Sequence, residues 1–221
     1  MTQNQWTKVD DYVVGLLSPS DSVLDAALAD SDAGGLPPIN VAPNQGKLLE
    51  ILAASHGAKR ILEIGTLGGY STIWLARALP AGGQLISLEL DSHHAEVARA
   101  NIERAGFAKV VEVMVGSAVT TLVSLIDSGV DPFDFIFIDA DKEGYPEYLR
   151  LSLALSHRGT LIVTDNVVRD GEVIDSKSTD ERVQGVRAFL DLAAKDPRLE
   201  GTVVHTVGSK GYDGFGIFLV K

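Results

Sequence analysis

The sequence from Arg60 onward alternates short apolar runs with segments of helical periodicity. The apolar runs are four to six residues long and rich in Ile, Val, Leu and Phe. Runs that are apolar on both faces are typical of parallel strands covered by helices on both sides of the sheet. The predicted strands are Ile61–Ile64, Leu85–Leu90, Val110–Val115, Phe133–Ile138 and Thr160–Thr164, and the predicted helices between them are Ser71–Leu79, Ser92–Ala105, Ser117–Asp127 and Pro146–Leu155.

The two ends of the chain depart from this alternation. After a predicted helix near Asp180–Lys195 come two strand candidates, Thr202–Val207 and Gly214–Val220, with only a glycine-rich turn between them. Because no helix separates them, they favour an antiparallel hairpin at the sheet edge. The first ~55 residues have a helical pattern. The sequence therefore predicts one α/β domain over residues 1–221, with an N-terminal helical extension (1–55) and a core (56–221) built on a doubly wound, mostly parallel seven-stranded sheet.

Charge and composition exclude several classes of partner. The chain has 19 basic and 30 acidic residues, a net charge of −11, which argues against nucleic acid and against an anionic membrane surface. It has no cysteine, so disulfides, zinc–thiolate sites and thiol nucleophiles are excluded. The N-terminal residues lack the basic and apolar regions of a signal peptide, and no stretch approaches the ~18 apolar residues that span a bilayer. We therefore expect a cytoplasmic protein.

A glycine-rich turn follows the first predicted strand. Gly65, Gly68 and Gly69 would let a ligand approach the backbone closely, and Glu89, at the end of the second strand, is suited to the hydroxyls of a ribose. These features indicate an adenosine-containing cofactor. The spacing G-x-x-G-G differs from the dinucleotide pattern G-x-G-x-x-G, and Glu63 would repel a pyrophosphate but suits an ammonium group. S-adenosylmethionine has such a group; a nicotinamide-dependent oxidoreductase remains the alternative.

Acidic residues end the fourth and fifth predicted strands. Asp139 follows the fourth, and Asp165 and Asn166 follow the fifth. The carboxyl ends of parallel strands face one crevice, so these three side chains could offer oxygen ligands to a hard cation such as Mg²⁺. Helix capping is the alternative for both aspartates. Lys142, three residues after Asp139, could act as a base close to the cation, and the alternative is a surface lysine at the start of a helix.

Four segments together resemble a known family. ILEIGTLGGYS, LISLELD, FIFIDADK and TDNV, in this order and spacing, are similar to the cation-dependent class I S-adenosylmethionine O-methyltransferases, which include catechol and caffeoyl-CoA O-methyltransferases. The resemblance extends from about Ile39 to the C-terminus. It implies a Rossmann-like fold, a cofactor-binding and catalytic core, S-adenosylmethionine and a divalent cation, most simply Mg²⁺.

The resemblance also implies residue roles. Asp139 and Lys142 would be catalytic, with Lys142 as the base. The metal ligands would be Asp139, Asp165 and Asn166. The substrate would contact Lys142, Tyr145, Asn166, Arg169 and the loop Val167–Thr179. The cofactor would contact Val41, Glu63, Gly65, Thr66, Ser71, Glu89, Gly116, Ser117, Ala118 and Asp139.

The function implied is methyl transfer to a hydroxyl of a small catechol-like aromatic molecule. The alternatives are an NAD(P)-dependent oxidoreductase and a cofactor-binding protein without catalysis. The N-terminal extension has more apolar surface than a lone surface helix needs, from Trp6, Tyr12, Val13, Val14, Leu16 and Leu17. We therefore also expect a homodimer.

Overall fold

The computed structural model describes residues 2–221, which form one seven-stranded sheet surrounded by eight α-helices. The strands are β1 (Arg60–Ile64), β2 (Gln84–Glu89), β3 (Val111–Val115), β4 (Phe133–Ile138), β5 (Ser156–Thr164), β6 (Leu199–Gly208) and β7 (Gly211–Val220). The helices are α1 (Gln3–Leu17), α2 (Ser22–Ala33), α3 (Pro43–His56), α4 (Tyr70–Arg77), α5 (Ser92–Arg104), α6 (Ala118–Asp127), α7 (Tyr145–Ala154) and α8 (Glu181–Lys195).

The strand order is β3-β2-β1-β4-β5-β7-β6. β1 to β5 pair in parallel, whereas β7 pairs antiparallel with both β5 and β6. The prediction of a doubly wound, mostly parallel Rossmann-like sheet with an antiparallel C-terminal hairpin is therefore confirmed. The chain progresses in opposite directions on the two sides of the β1/β4 pair, so a crevice forms beyond the carboxyl ends of these strands.

Two apolar cores lie on opposite faces of the sheet. One packs α6, α7 and α8 against side chains such as Leu62 and Ile136, and the other packs α2 to α5 against side chains such as Ile61 and Phe135. Neighbouring strand residues thus point into different cores, and all four are fully buried. This burial explains why the strands read as unbroken apolar runs.

Three strands begin at least three residues before their predicted starts, and β7 is one of them, since it begins at Gly211 rather than Gly214. β5 begins at Ser156 rather than Thr160, and β6 extends from Leu199 to Gly208. The residues added to β5 are polar or glycine, whereas those added to β6 include Leu199, the one buried residue of that strand. Hydrophobic patterning detects the apolar residues of a strand, whereas backbone pairing extends the strand through polar residues as well.

Three helices precede β1. α1 has no buried residue, and it exposes Tyr12, Leu16 and Leu17 by 68, 62 and 72%. The homodimer and the division at residue 55 stay predictions, and Met1 lies outside the described residues. Within residues 2–221, no helix is long and apolar enough to cross a membrane.

Candidate active site

A cleft of about 910 Å³ opens beyond the carboxyl ends of β1, β2, β4 and β5. It is the crevice that the reversal of strand order produces. The predicted site residues that line it are Val41, Gly65, Thr66, Ser71, Glu89, Ser117, Ala118, Asp139, Lys142, Asn166 and Arg169. These residues come from segments more than 120 positions apart, so the fold brings most of the predicted site to one surface.

The glycine turn brings β1 and β4 together at the floor of the cleft. Gly65 has a φ of +101°, and a Cβ atom there would collide with the backbone carbonyl of Asp139. Gly69, with φ +83°, precedes the first residue of α4. Only glycine meets both demands at Gly65, a left-handed backbone and no side chain.

Glu63 lies behind this turn and is fully buried. Its carboxylate accepts hydrogen bonds from the hydroxyls of Ser71, Thr72 and Ser87, at 2.6, 2.5 and 2.6 Å. Burial nevertheless raises its pKa from 4.5 to about 7. Glu63 does not itself line the cleft, but Ser71 does. A positive group bound beside Ser71 would favour the ionised form of Glu63.

Glu89 supports the turn from the end of β2. One carboxylate oxygen accepts the backbone N–H groups of Thr66 and Leu67, at 3.2 and 2.7 Å, and the other accepts that of Asp91 at 2.9 Å. These bonds hold the turn where Leu67 has a positive φ of 50°. The carboxylate of Glu89 also lines the cleft, so its ribose role stays a prediction alongside this structural one.

Two carboxylates form an acidic wall opposite the glycine turn: Asp139 lines the cleft there, and Asp165 is buried beside it. Asp139 follows β4 and Asp165 follows β5, and Asp165 is only 3% exposed. Burial first, and then the charge of Asp139, raise the pKa of Asp165 well above its usual value. Asn166 adopts a left-handed backbone with φ 55° and lines the cleft beside them. Neither aspartate caps the helical turn that follows, because Asp141 and Val168 hold those positions.

Lys142 is held against this wall. Its Nζ donates to Asp139 Oδ1 at 2.9 Å and to the carbonyl of Ala140 at 3.0 Å, and the residue is 9% exposed. Helix α8 packs directly over it: a Cβ at Gly185 would collide with the Lys142 carbonyl oxygen. The ammonium also lies 4.9 Å from the ring centre of Tyr145.

Four predicted site residues do not line the cleft: Glu63, Gly116, Tyr145 and Asp165. Tyr145 is fully buried, and its hydroxyl donates to the backbone carbonyl of Asp165 at 2.9 Å. The structure thus places Tyr145 behind the wall, where it supports the end of β5. Burial and the nearby carboxylates raise the pKa of Tyr145 well above its usual value.

The cleft also contains residues that the sequence did not single out, among them Ile39, Leu90, His94, Tyr148 and Arg182. Leu90 had a local signal, since it directly follows Glu89, and it is 73% exposed. Arg182 had none, because α8 reaches the cleft only by packing against α7 and the helical turn Lys142–Gly144, which are distant in the chain.

Within residues 2–221, no group of three or more His, Cys, Asp or Glu side chains is arranged to hold a metal ion. A cation at this wall would therefore depend on the amide oxygen of Asn166 in addition to the two carboxylates. Oxygen ligands of this kind suit Mg²⁺, which keeps several water ligands. The buried carboxylate of Asp165 and the half-buried carboxylate of Asp139 repel each other, and they fit a cation because an added positive charge would relieve this repulsion.

Comparison with known proteins gives the family. A family model described as O-methyltransferase matches residues 23–221. A catechol O-methyltransferase of Niastella koreensis is 48% identical, over all of both chains. One from Mycobacterium tuberculosis is 47% identical and covers 96% of this chain and 95% of its own. The crystal structure of an O-methyltransferase from Bacillus cereus in complex with SAH is 52% identical, with a TM-score of 0.98 and complete coverage of both chains.

The chain therefore belongs to the O-methyltransferase family. The resemblance drawn from the four sequence segments is confirmed, as is the prediction that the protein is an enzyme, an S-adenosylmethionine-dependent O-methyltransferase. The family match favours methyl transfer over the nicotinamide-dependent and the non-catalytic alternatives.

Proposed function

We propose that the enzyme methylates a hydroxyl of a catechol-like aromatic molecule, with S-adenosylmethionine as donor and a divalent cation, most simply Mg²⁺, at the acidic wall. The observation that carries the proposal is the convergence of Asp139, Asn166 and Lys142 on the cleft at the carboxyl ends of two neighbouring strands, with the buried carboxylate of Asp165 next to Asn166 in the chain. Relatives from two bacteria that are named catechol O-methyltransferases support the acceptor class.

The donor would occupy the end of the cleft that the glycine turn forms. The similar structure from Bacillus cereus was solved with SAH, which supports this assignment. Glu63, reached through Ser71, would stabilise the ammonium of the methionine part, and Glu89 would receive the ribose hydroxyls. Ser117 and Ala118 would border the adenine at the end of β3.

The acceptor would bind at the acidic wall. Asp139, Asp165 and Asn166 would hold the cation, which when bound supplies Lewis-acid polarisation that lowers the pKa of the reacting hydroxyl. Lys142, in its neutral form, is the group on this wall that can take the hydroxyl proton, and Asp139 and Ala140 hold its Nζ in place. Holding the acceptor oxygen in line with the methyl group and sulfur would supply much of the acceleration.

The proposal is tested by incubating the purified protein with S-adenosylmethionine and catechols, with Mg²⁺ or with EDTA, and analysing the products by mass spectrometry. We expect a singly methylated product that disappears with EDTA. Asp165→Asn should lose this activity while still binding S-adenosylmethionine in a calorimetric titration. Asp127→Asn, an exposed aspartate at the end of α6, is the control for the same chemical change. Methylation that survives both EDTA and Asp165→Asn would overturn the metal assignment.

A further inference from the structure

Arg169 is held at the cleft by an unusual backbone conformation. It and the following Asp170 both have φ 55°, a left-handed region that residues other than glycine rarely adopt. The carboxylate of Asp213, on β7, enforces this turn: its Oδ1 accepts the backbone N–H groups of Val168, Arg169 and Gly214, each at 3.0 Å. A turn that is held so firmly against its intrinsic preference indicates that the position of Arg169 matters.

The guanidinium of Arg169 keeps its donors free. Its Nε is buried and unpaired among the described residues, so the donors that a ligand in the cleft could reach are those of the two terminal nitrogens, which make no hydrogen bond to the described residues. Its nearest carboxylate oxygen, Asp213 Oδ2, is 3.9 Å from a terminal nitrogen, which is an ion-pair contact but too long for a hydrogen bond. Arg182, on the same cleft, differs: its Nε and one terminal nitrogen donate to Asp180, at 3.0 and 2.6 Å. Arg169 is thus the cleft arginine that is available to a ligand.

The chemistry of a free guanidinium defines the group it would bind. Its planar fork matches a carboxylate with two parallel hydrogen bonds. A doubly charged phosphate is disfavoured here, because Asp139, Asp141 and Glu143 also line the cleft and would repel it. Arg169 lies three residues after Asn166, so a ring bound through its hydroxyls near Asn166 could present a substituent to Arg169.

We infer that Arg169 is a specificity-determining residue and that the preferred acceptor is a catechol carrying a carboxylate, which Arg169 receives through its free donors. The inference rests on the proposed function, because it needs the acceptor hydroxyls at the acidic wall. Beyond the proposed function, the acceptor should carry a carboxylate, and Arg169 should be the residue that binds it.

The test compares 3,4-dihydroxybenzoate with its uncharged methyl ester, titrated calorimetrically into protein saturated with SAH and Mg²⁺. The wild type should bind the acid at least about 10-fold more tightly than the ester. Arg169→Gln should lower the affinity for the acid by about 10- to 100-fold and change the affinity for the ester by no more than about twofold. Arg169→Lys should keep part of the preference for the acid. Arg150→Gln, an exposed arginine on α7, is the control.

Equal binding of the acid and the ester by the wild type would overturn the inference without relying on any variant. So would an equal loss for both ligands in Arg169→Gln, since that result would mean a structural role. Methylation kinetics separate these outcomes from failure of the proposed function. If the wild type methylates the acid and the ester with the same KM, only the inference about the carboxylate fails. If it methylates neither these two ligands nor other catechols, the proposed function fails as well.

Discussion

The buried carboxyl of Glu63 should make the stability of this protein depend on pH in a defined direction. Glu63 is fully buried, and burial raises its pKa in the folded state from 4.5 to about 7. Well below pH 4.5 the carboxyl of Glu63 is protonated in both the folded and the unfolded state, so its titration does not change the free energy of unfolding there. Between these values the unfolded state releases the proton while the folded state keeps it, so stability falls as the pH rises.

The magnitude follows from the two pKa values. A shift of one unit corresponds to about 1.4 kcal/mol, and the loss between pH 5 and pH 8 integrates to about 2 to 3 kcal/mol of unfolding free energy. Above about pH 8 the contribution is constant, because Glu63 is then ionised in both states. Glu63→Gln removes the titration while keeping nearly the same shape.

The assay is urea unfolding of the ligand-free protein at several pH values between 5 and 8, followed by tryptophan fluorescence. We expect the unfolding free energy of Glu63→Gln to rise relative to the wild type by about 2 to 3 kcal/mol across this range. Glu112→Gln, an exposed glutamate on β3, controls for the loss of a surface charge. If the wild-type and Glu63→Gln curves run parallel from pH 5 to pH 8, Glu63 does not titrate there and the reasoning from its burial is refuted.

Three further outcomes are expected. Gly185→Ala should displace the turn that carries Lys142 and lower kcat by at least about tenfold with little change in S-adenosylmethionine affinity. Steady-state kinetics check this, with Gly15→Ala, which meets no atom within 4 Å, as control. Gly65→Ala should lower the unfolding free energy by more than about 2 kcal/mol in urea; Gly82→Ala shares the positive φ without the collision, so a similar loss there would contradict the packing argument. The double substitution Leu16→Ser and Leu17→Ser should convert a dimer to a monomer in light scattering, whereas Leu192→Ser, an exposed leucine on α8, should not; a dimer that survives the double substitution would place the interface elsewhere.

Much of the fold could be predicted from local pattern. Parallel strands buried on both faces need unbroken apolar runs, and FIFI before Asp139 is such a run in β4. The hairpin of β6 and β7 followed from the absence of a helix between two strand candidates. What local pattern did not reveal was where β5, β6 and β7 begin, because backbone pairing continues through polar residues and glycines that give no apolar signal.

The sequence by itself determined the class of fold, the family and the strand ends that carry the site, because strand periodicity, the glycine turn and the acidic residues are all local features. Tertiary structure alone decided which side chains face the cleft. Glu63 lies behind the glycine turn and Tyr145 lies behind the acidic wall, so neither lines the cleft, whereas Arg182 lines it from α8. Tertiary structure also decided the state of Arg169: Asp213, on β7, holds its backbone, while its guanidinium is left without a hydrogen bond among the described residues. These properties depend on contacts between segments far apart in the chain, and no local pattern records them.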